Sequence, residues 1–337
     1  MQARATLAKG RGLVAWWAAG LCLSVFTGCG DASQTGGAAS AAPSGSSGGA
    51  PSASPSAEPP PPWVGIDRTR AEVEKVINPK GAEPYRGPTG TLRGRITIVG
   101  DPPPKLALAF PDDCAEAAAT YGAAFRVGQS PEAGKGAALA DALVAVTGYE
   151  GFVPPEDAAV PVRIRGCAFD KRTYAATFGQ RFEVVNLDPK NSYMPYLMGA
   201  PMRAYMVAMP RGNPVKLYPL EPSASRYLLR DQMKRPFLVS EVYVLKYATH
   251  AVTGLDGLYE IKRIPIGKVR VDAFLPAIDK TEGKEVEIKE GVNELDLELR
   301  FDAKTDRVVE LPLDTPQPAA PSGSAAPSAA PSASASP

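Results

Sequence analysis

Between Trp63 and Asp302 apolar and polar positions alternate with a period of two in one short run after another, the pattern of half-buried strands. TLRGRITIV (91–99) sets Leu92, Ile96 and Ile98 against Arg93, Arg95 and Thr97. The same period recurs at 142–149, 161–166, 180–187, 237–247, 258–264, 268–274, 284–290 and 293–301. Only DRTRAEVEKVI (67–77) repeats at helical spacing, with Asp67 placed as N-cap and Pro79 beyond the end, and CAEAAATYG (114–122) predicts a second short helix. Asp256-Gly257, between AVTG and LYEI, predicts a hairpin turn, whose central positions favour positive φ. Short strands punctuated by Gly and Pro imply an all-β fold of antiparallel sandwiches.

The flanks change the picture. Residues 1–29 carry Arg4, Lys9 and Arg11, then the apolar run LVAWWAAGLCLSVF, then Thr27, Gly28 and Cys29. This is the layout of an export signal. FTGC resembles a bacterial lipobox, with Phe26 where leucine is usual; the resemblance implies that Cys29 becomes the lipid-bearing first residue. An ordinary secretory signal cut elsewhere is the alternative. Residues 30–62 are almost entirely Ala, Ser, Gly and Pro, with nothing to bury, and predict a disordered tether. A tail covers 303–337; from Pro312 onward it returns to that composition and is expected to be disordered. The expected protein is exported and anchored by lipid in the bacterial cell envelope, inner or outer membrane being left open.

Charge excludes one class of partner. The chain has 37 basic and 36 acidic residues, and the three basic residues of the signal leave 34 against 36, with no basic patch for nucleic acid. Cys22 leaves with the signal and Cys29 takes the lipid. Cys114 and Cys167 are then the pair expected to form a disulfide outside the cytoplasm; a redox-active pair is the alternative, at a spacing unlike C-x-x-C.

Two resemblances are carried by specific residues. AVTGLDGLYEIKRIPIGKVRVDAFLP (251–276) resembles the carboxypeptidase regulatory-like, transthyretin-type sandwich through Thr253, Asp256, Gly257, Tyr259, Pro265 and Gly267. GTLRGRITIVGDPPP (90–104) is similar to the opening strand of such a unit, so that chain from both ends could complete it. GCAFDKRTYAATFGQRFEVVNLDPKNSYMPYL (166–197) resembles a cupredoxin-like, methylamine-utilisation-type family, with G-C-x-F followed by G-Q-x-x-x-V-x-N-x-D. The two resemblances imply a cupredoxin-like Greek-key sandwich over 88–247 joined to a transthyretin-like unit over 248–302, after a helix and lead-in at 63–87.

The cupredoxin-like resemblance also implies where copper ligands would fall. The first histidine would fall at Asn191, and a C-x-x-H-x-x-M segment would fall on Gln232, Arg235 and Leu238. All four positions hold non-ligands. His250 is the single histidine, so a type 1 site with two imidazoles and a thiolate lacks its ligands. No metal or other cofactor is expected, with Cu(I) as the alternative. Met194, Met198, Met202, Met206 and Met209 supply thioethers that suit Cu(I), but Pro195, Gly199 and Pro201 break any helix that would align them. Apolar packing is the favoured reading, with Met202 and Met206 of a strand facing the core. Tyr193, Tyr196 and Tyr205 with Arg203 and Arg211 give the same stretch the composition of a partner-binding surface.

An enzyme finds little support. Every histidine scheme depends on His250, read as a half-exposed structural residue, and Asp112, Asp113 and Asp188 are the carboxylates available for acid–base work. The function expected is a non-catalytic binding or structural module for an envelope protein or glycan. The alternatives are Cu(I) delivery by the methionine stretch and, third, a carboxylate hydrolase.

Overall fold

A computed structural model describes residues 63–131, 135–200, 206–219, 226–233 and 235–310. The expected signal with Cys29, the tether 30–62, the tail from 311, and Met202, Arg203 and Tyr205 fall outside the described residues. In chain order the elements are α1 (Arg70–Ile77), β1 (Thr89–Gly100), α2 (Ala117–Tyr121), β2 (Ala137–Ala138), β3 (Leu143–Thr147), β4 (Ala159–Arg165), β5 (Ala168–Phe169), β6 (Thr173–Thr177), β7 (Arg181–Asn186), β8 (Pro195–Met198), β9 (Val215–Leu217), β10 (Tyr227–Asp231), β11 (Val239–Leu245), β12 (His250–Val252), β13 (Leu258–Pro265), β14 (Gly267–Leu275), β15 (Lys280–Ile288), β16 (Gly291–Glu294) and β17 (Leu297–Phe301). The fold is all-β.

Helix α1 begins later than its pattern predicts. Thr69, rather than Asp67, is the N-cap: Glu72 N donates to Thr69 Oγ1 at 3.3 Å, and Thr69 N donates to Glu72 Oε2 at 2.8 Å. That reciprocal pair satisfies two orphan amides at once, more than Asp67 alone could. Val73 and Ile77 then turn into a core shared with Trp63.

That first core lies between two four-stranded sheets, ordered β5-β4-β7-β9 and β6-β11-β10-β8. Each sheet contains one parallel pair, β4 with β7 and β6 with β11, the remaining pairs being antiparallel. Alternation is clean in β4 and β7, which bury Val162, Ile164, Phe182 and Val184. Strands β6 and β10 are buried at every position. The β4–β5 hairpin turns through Gly166 and Cys167 at φ 50° and 59°, both in the left-handed region that a two-residue turn of this kind needs. Cys167 forms the disulfide with Cys114, Cα to Cα 4.9 Å, tying the segment before α2 to that turn.

The second core draws on both ends of the folded region. β1 pairs with β13 and β2 antiparallel and with β16 and β17 in parallel, while β12-β3-β14-β15 form the facing sheet. Leu92, Ile96, Val144, Val146, Ile261, Val271 and Phe301 meet inside. The cores therefore do not divide the chain at 247: β1 to β3 join the second, and the segment from Trp63 to Ile77 joins the first. Nor is Asp256-Gly257 a hairpin turn. Gly257 alone of the pair has positive φ, 71°, and the flanking strands pair elsewhere, β12 with β3 and β13 with β1. Gly257 O instead accepts from Ile96 N at 2.9 Å, and Thr253, fully buried, accepts from Ala142 N and donates to Leu139 O.

Between the two sandwiches runs a polar seam. Arg126 grips Asp141 with two bonds of 2.7 Å, and Asp141 Oδ1 also accepts from Arg172 N at 2.8 Å. Lys171 Nζ donates to Val252 O at 3.1 Å. Burial opposes the Arg126 charge, but the bonds and charge of Asp141 outweigh it and hold its pKa above the ordinary value.

Candidate functional site

The residues with candidate chemistry gather around Tyr193, which is fully buried. The scaffold starts where β7 ends in the NLDP turn. Asn186 donates its side-chain amide to Asn191 O and Ala208 O, both at 2.8 Å, and its Oδ1 accepts from Asp188 N at 2.9 Å. Asp188 Oδ1 accepts from Lys190 N and Asn191 N at 3.0 and 3.1 Å, the short-range pattern that an Asp side chain makes with its own turn. Its Oδ2 takes the Tyr193 hydroxyl at 2.8 Å. Tyr193 Oη in turn accepts from Cys167 N at 3.1 Å, so the phenol links the NLDP turn to the disulfide turn.

These bonds decide what Asp188 can do. Burial alone would raise its pKa, but the two backbone donors and Tyr193 outweigh that and hold the carboxyl below its usual range. A carboxylate held ionised with its acceptor positions occupied is a structural anchor and a poor proton shuttle. Asp112 and Asp113 are both exposed, and Asp113 meets Asn191 Nδ2 at 3.4 Å.

Opposite Asp188, Arg235 stacks 4.7 Å above the Tyr193 ring and donates to Ser192 O at 3.3 Å and to Asp231 Oδ2 at 3.2 Å. Asp231 Oδ1 accepts from Met194 N at 2.7 Å, and Gln232 N donates to Met194 O at 3.0 Å, fastening the β10–β11 loop to the lead-in of β8. Of the four positions where the resemblance would place copper ligands, Asn191 and Arg235 therefore meet around Tyr193. Gln232 lies at the surface, and Leu238 is wholly buried in the first core. Among the described residues no three His, Cys, Asp or Glu side chains are gathered as a metal ion would require.

The methionines do not fill the core as expected. Of the described four, Met198, Met206 and Met209 are 44, 40 and 55% exposed, and Met194 is half-buried. Met206 lies outside any strand and is exposed, so it does not face the core as expected, while Met202 falls outside the described residues. Met209 Sδ accepts from Ser192 Oγ at 3.6 Å and Met198 Sδ from Arg230 Nη1 at 3.4 Å, two different settings for two sulfurs. Tyr196 of β8 is half-buried, and Arg211 N bonds Asn186 O at 3.3 Å.

Sequence reasoning missed the apolar neighbours on the same loops. Leu187, Val207 and Met233 are each more than two-fifths exposed, next in the chain or nearly so to Asp188, Ala208 and Asp231. The signal available was the NLDP turn itself, which cannot turn all its neighbours inward. His250 lies elsewhere, at the start of β12, half-buried as expected. Its Nε2 is 3.2 Å from Thr177 Oγ1, whose own proton goes to Tyr247 O at 3.0 Å. No protein-family model, curated protein or solved structure matches the chain.

Proposed function

We propose that this chain is a non-catalytic, lipid-anchored protein of the bacterial cell envelope, whose first sandwich is a copper-free cupredoxin-like module that binds a protein partner. The observation that carries the binding role is the exposure of Leu187, Met206, Val207, Met209 and Met233 on loops held by the Asn186, Asp188, Tyr193 and Asp231 bonds. Adaptable thioether side chains on a fixed frame suit the recognition of an apolar protein surface. Two sheets packed around one core support the Greek-key sandwich that the resemblance implies, and the disulfide supports an oxidising compartment. Cys29, with its upstream signal, carries the anchor.

A photo-crosslinking residue at position 209 tests the surface, with position 292 on the other sandwich as control. In envelope extract, position 209 should give a discrete protein adduct that Met206→Ser with Met233→Ser weakens at least fivefold. An adduct pattern identical from both positions contradicts the reading. Mass analysis of the mature N-terminus tests the anchor, because an unmodified Cys29 is incompatible with it.

The second reading, Cu(I) binding by the same stretch, is favoured by the exposure of Met206 and Met209 and opposed by the Arg230 guanidinium on Met198. Titrating the reduced protein with Cu(I) against a competing chelator separates the two. A stoichiometric site that Met206→Leu with Met209→Leu removes would establish metal binding.

A further inference from the structure

A cavity of roughly 250 Å³ lies where the two sandwiches meet, sharing no residue with the methionine-bearing surface. Its walls are mostly apolar: Leu106 and Leu108 after β1, Tyr121 of α2, Phe237 before β11, and Val308 after β17. One cation lines it, Arg172, which is 8% exposed. The guanidinium donates through Nη1 to Ala123 O at 2.7 Å. No carboxylate of the described residues lies within ion-pair range of it. Asp141 is gripped by Arg126, and Glu241 lies 2.8 Å from Arg226 Nε. Asp141 and Glu241 act on the Arg172 guanidinium only through their field, so among the described residues it has no carboxylate of its own in contact.

A buried guanidinium with no carboxylate in contact is costly, and a carboxylate arriving from outside relieves that cost through charge-assisted bonds. Burial pulls the pKa of Arg172 below its ordinary value, with the charges of Asp141 and Glu241 opposing. Size narrows the ligand. A cavity of about 150 Å³ accepts benzene, so this one holds about ten non-hydrogen atoms. Glu310, exposed at the rim, disfavours a second negative charge on the ligand.

We propose that this cavity binds an aliphatic or aryl monocarboxylic acid of about ten non-hydrogen atoms, its carboxylate on Arg172 and its apolar body among Leu106, Leu108, Tyr121 and Phe237. Calorimetric titration of the full-length protein with octanoate, and with octan-1-ol as its uncharged counterpart, tests this. Octanoate should bind at one site at least tenfold more tightly than the alcohol, and Arg172→Met should lower octanoate affinity at least tenfold, to the level of the alcohol. Ala107→Trp places an indole in the cavity from its exposed edge, and should abolish binding of both at an unchanged melting temperature. It decides the matter should Arg172→Met fail to fold. Equal binding of acid and alcohol by the native protein, or octanoate binding untouched by Ala107→Trp, would overturn the proposal.

Discussion

His250 shows how one side chain can set a pH limit. Burial lowers its pKa from 6.5 to about 4, with no charged neighbour contributing. Because the Thr177 hydroxyl gives its proton to Tyr247 O, the His250 proton sits on Nε2 and the ring is neutral in the folded protein. The unfolded chain binds a proton more readily, so this contribution is complete above about pH 6.5 and is lost as pH falls toward 4. The loss amounts to roughly 3 kcal/mol at most. Glu241, whose pKa burial raises against the pull of Arg226 and Arg172, contributes in the opposite sense, so the raw curve mixes the two. Urea midpoints at pH 7.5 and 5 should fall more for the native protein than for His250→Gln, and parallel slopes would show that the ring does not titrate in this window.

At the scale of elements, the disulfide and the strand patterns carry the main lessons. The Cys114–Cys167 bridge spans a separation of 53 residues and fixes the segment before α2 onto the β4–β5 turn. On the chain-entropy estimate, closing such a loop stabilises the fold by about 4 kcal/mol. Cys114→Ser with Cys167→Ser should lower the unfolding free energy in urea by that order, and a change below about 1 kcal/mol would mean that the unfolded chain is already compact there.

Legibility followed burial. Strands with one wet face, β1, β4, β7, β13 and β14, show their period in the sequence; β6 and β10, covered on both faces, have no alternation to read. Asp256-Gly257 misled because local turn chemistry says nothing about which strands will pair. At the candidate site, the NLDP turn was visible as a motif because its bonds are local. The exposure of Met206 and Met209 was not, because it depends on Asp231 meeting Met194 across a separation of 37 residues and on Tyr193 meeting Cys167 across 26. Composition names a methionine as apolar but does not say which way it faces.

The molecule as a whole depends on the charged seam between its sandwiches. Asp141 receives Arg126 and the backbone of Arg172 in a setting where its side chain is only 5% exposed. Neutralising one partner of a buried pair leaves the other uncompensated, at a cost of about 3–5 kcal/mol. Asp141→Asn, nearly the same shape, should therefore lower the melting temperature by about six to twenty degrees for a domain of this size, measured calorimetrically. Loss of only a degree or two would mean that water reaches the seam.

The second sandwich also fixes an order of events. Arg95 N bonds Asp296 Oδ1 across a separation of 201 residues, and Thr89 of β1 pairs with Pro265. A chain emerging N-terminus first delivers β1 and β3 long before β13, β14 and β17, while every strand of the first sandwich is out by Leu245. The first sandwich can therefore close while the rest of the chain is still emerging, and β1 and β3 wait as open strand edges until the last ribbon arrives. That interval is when a companion able to shield unpaired strands would matter most to this chain, and when aggregation would compete with completion.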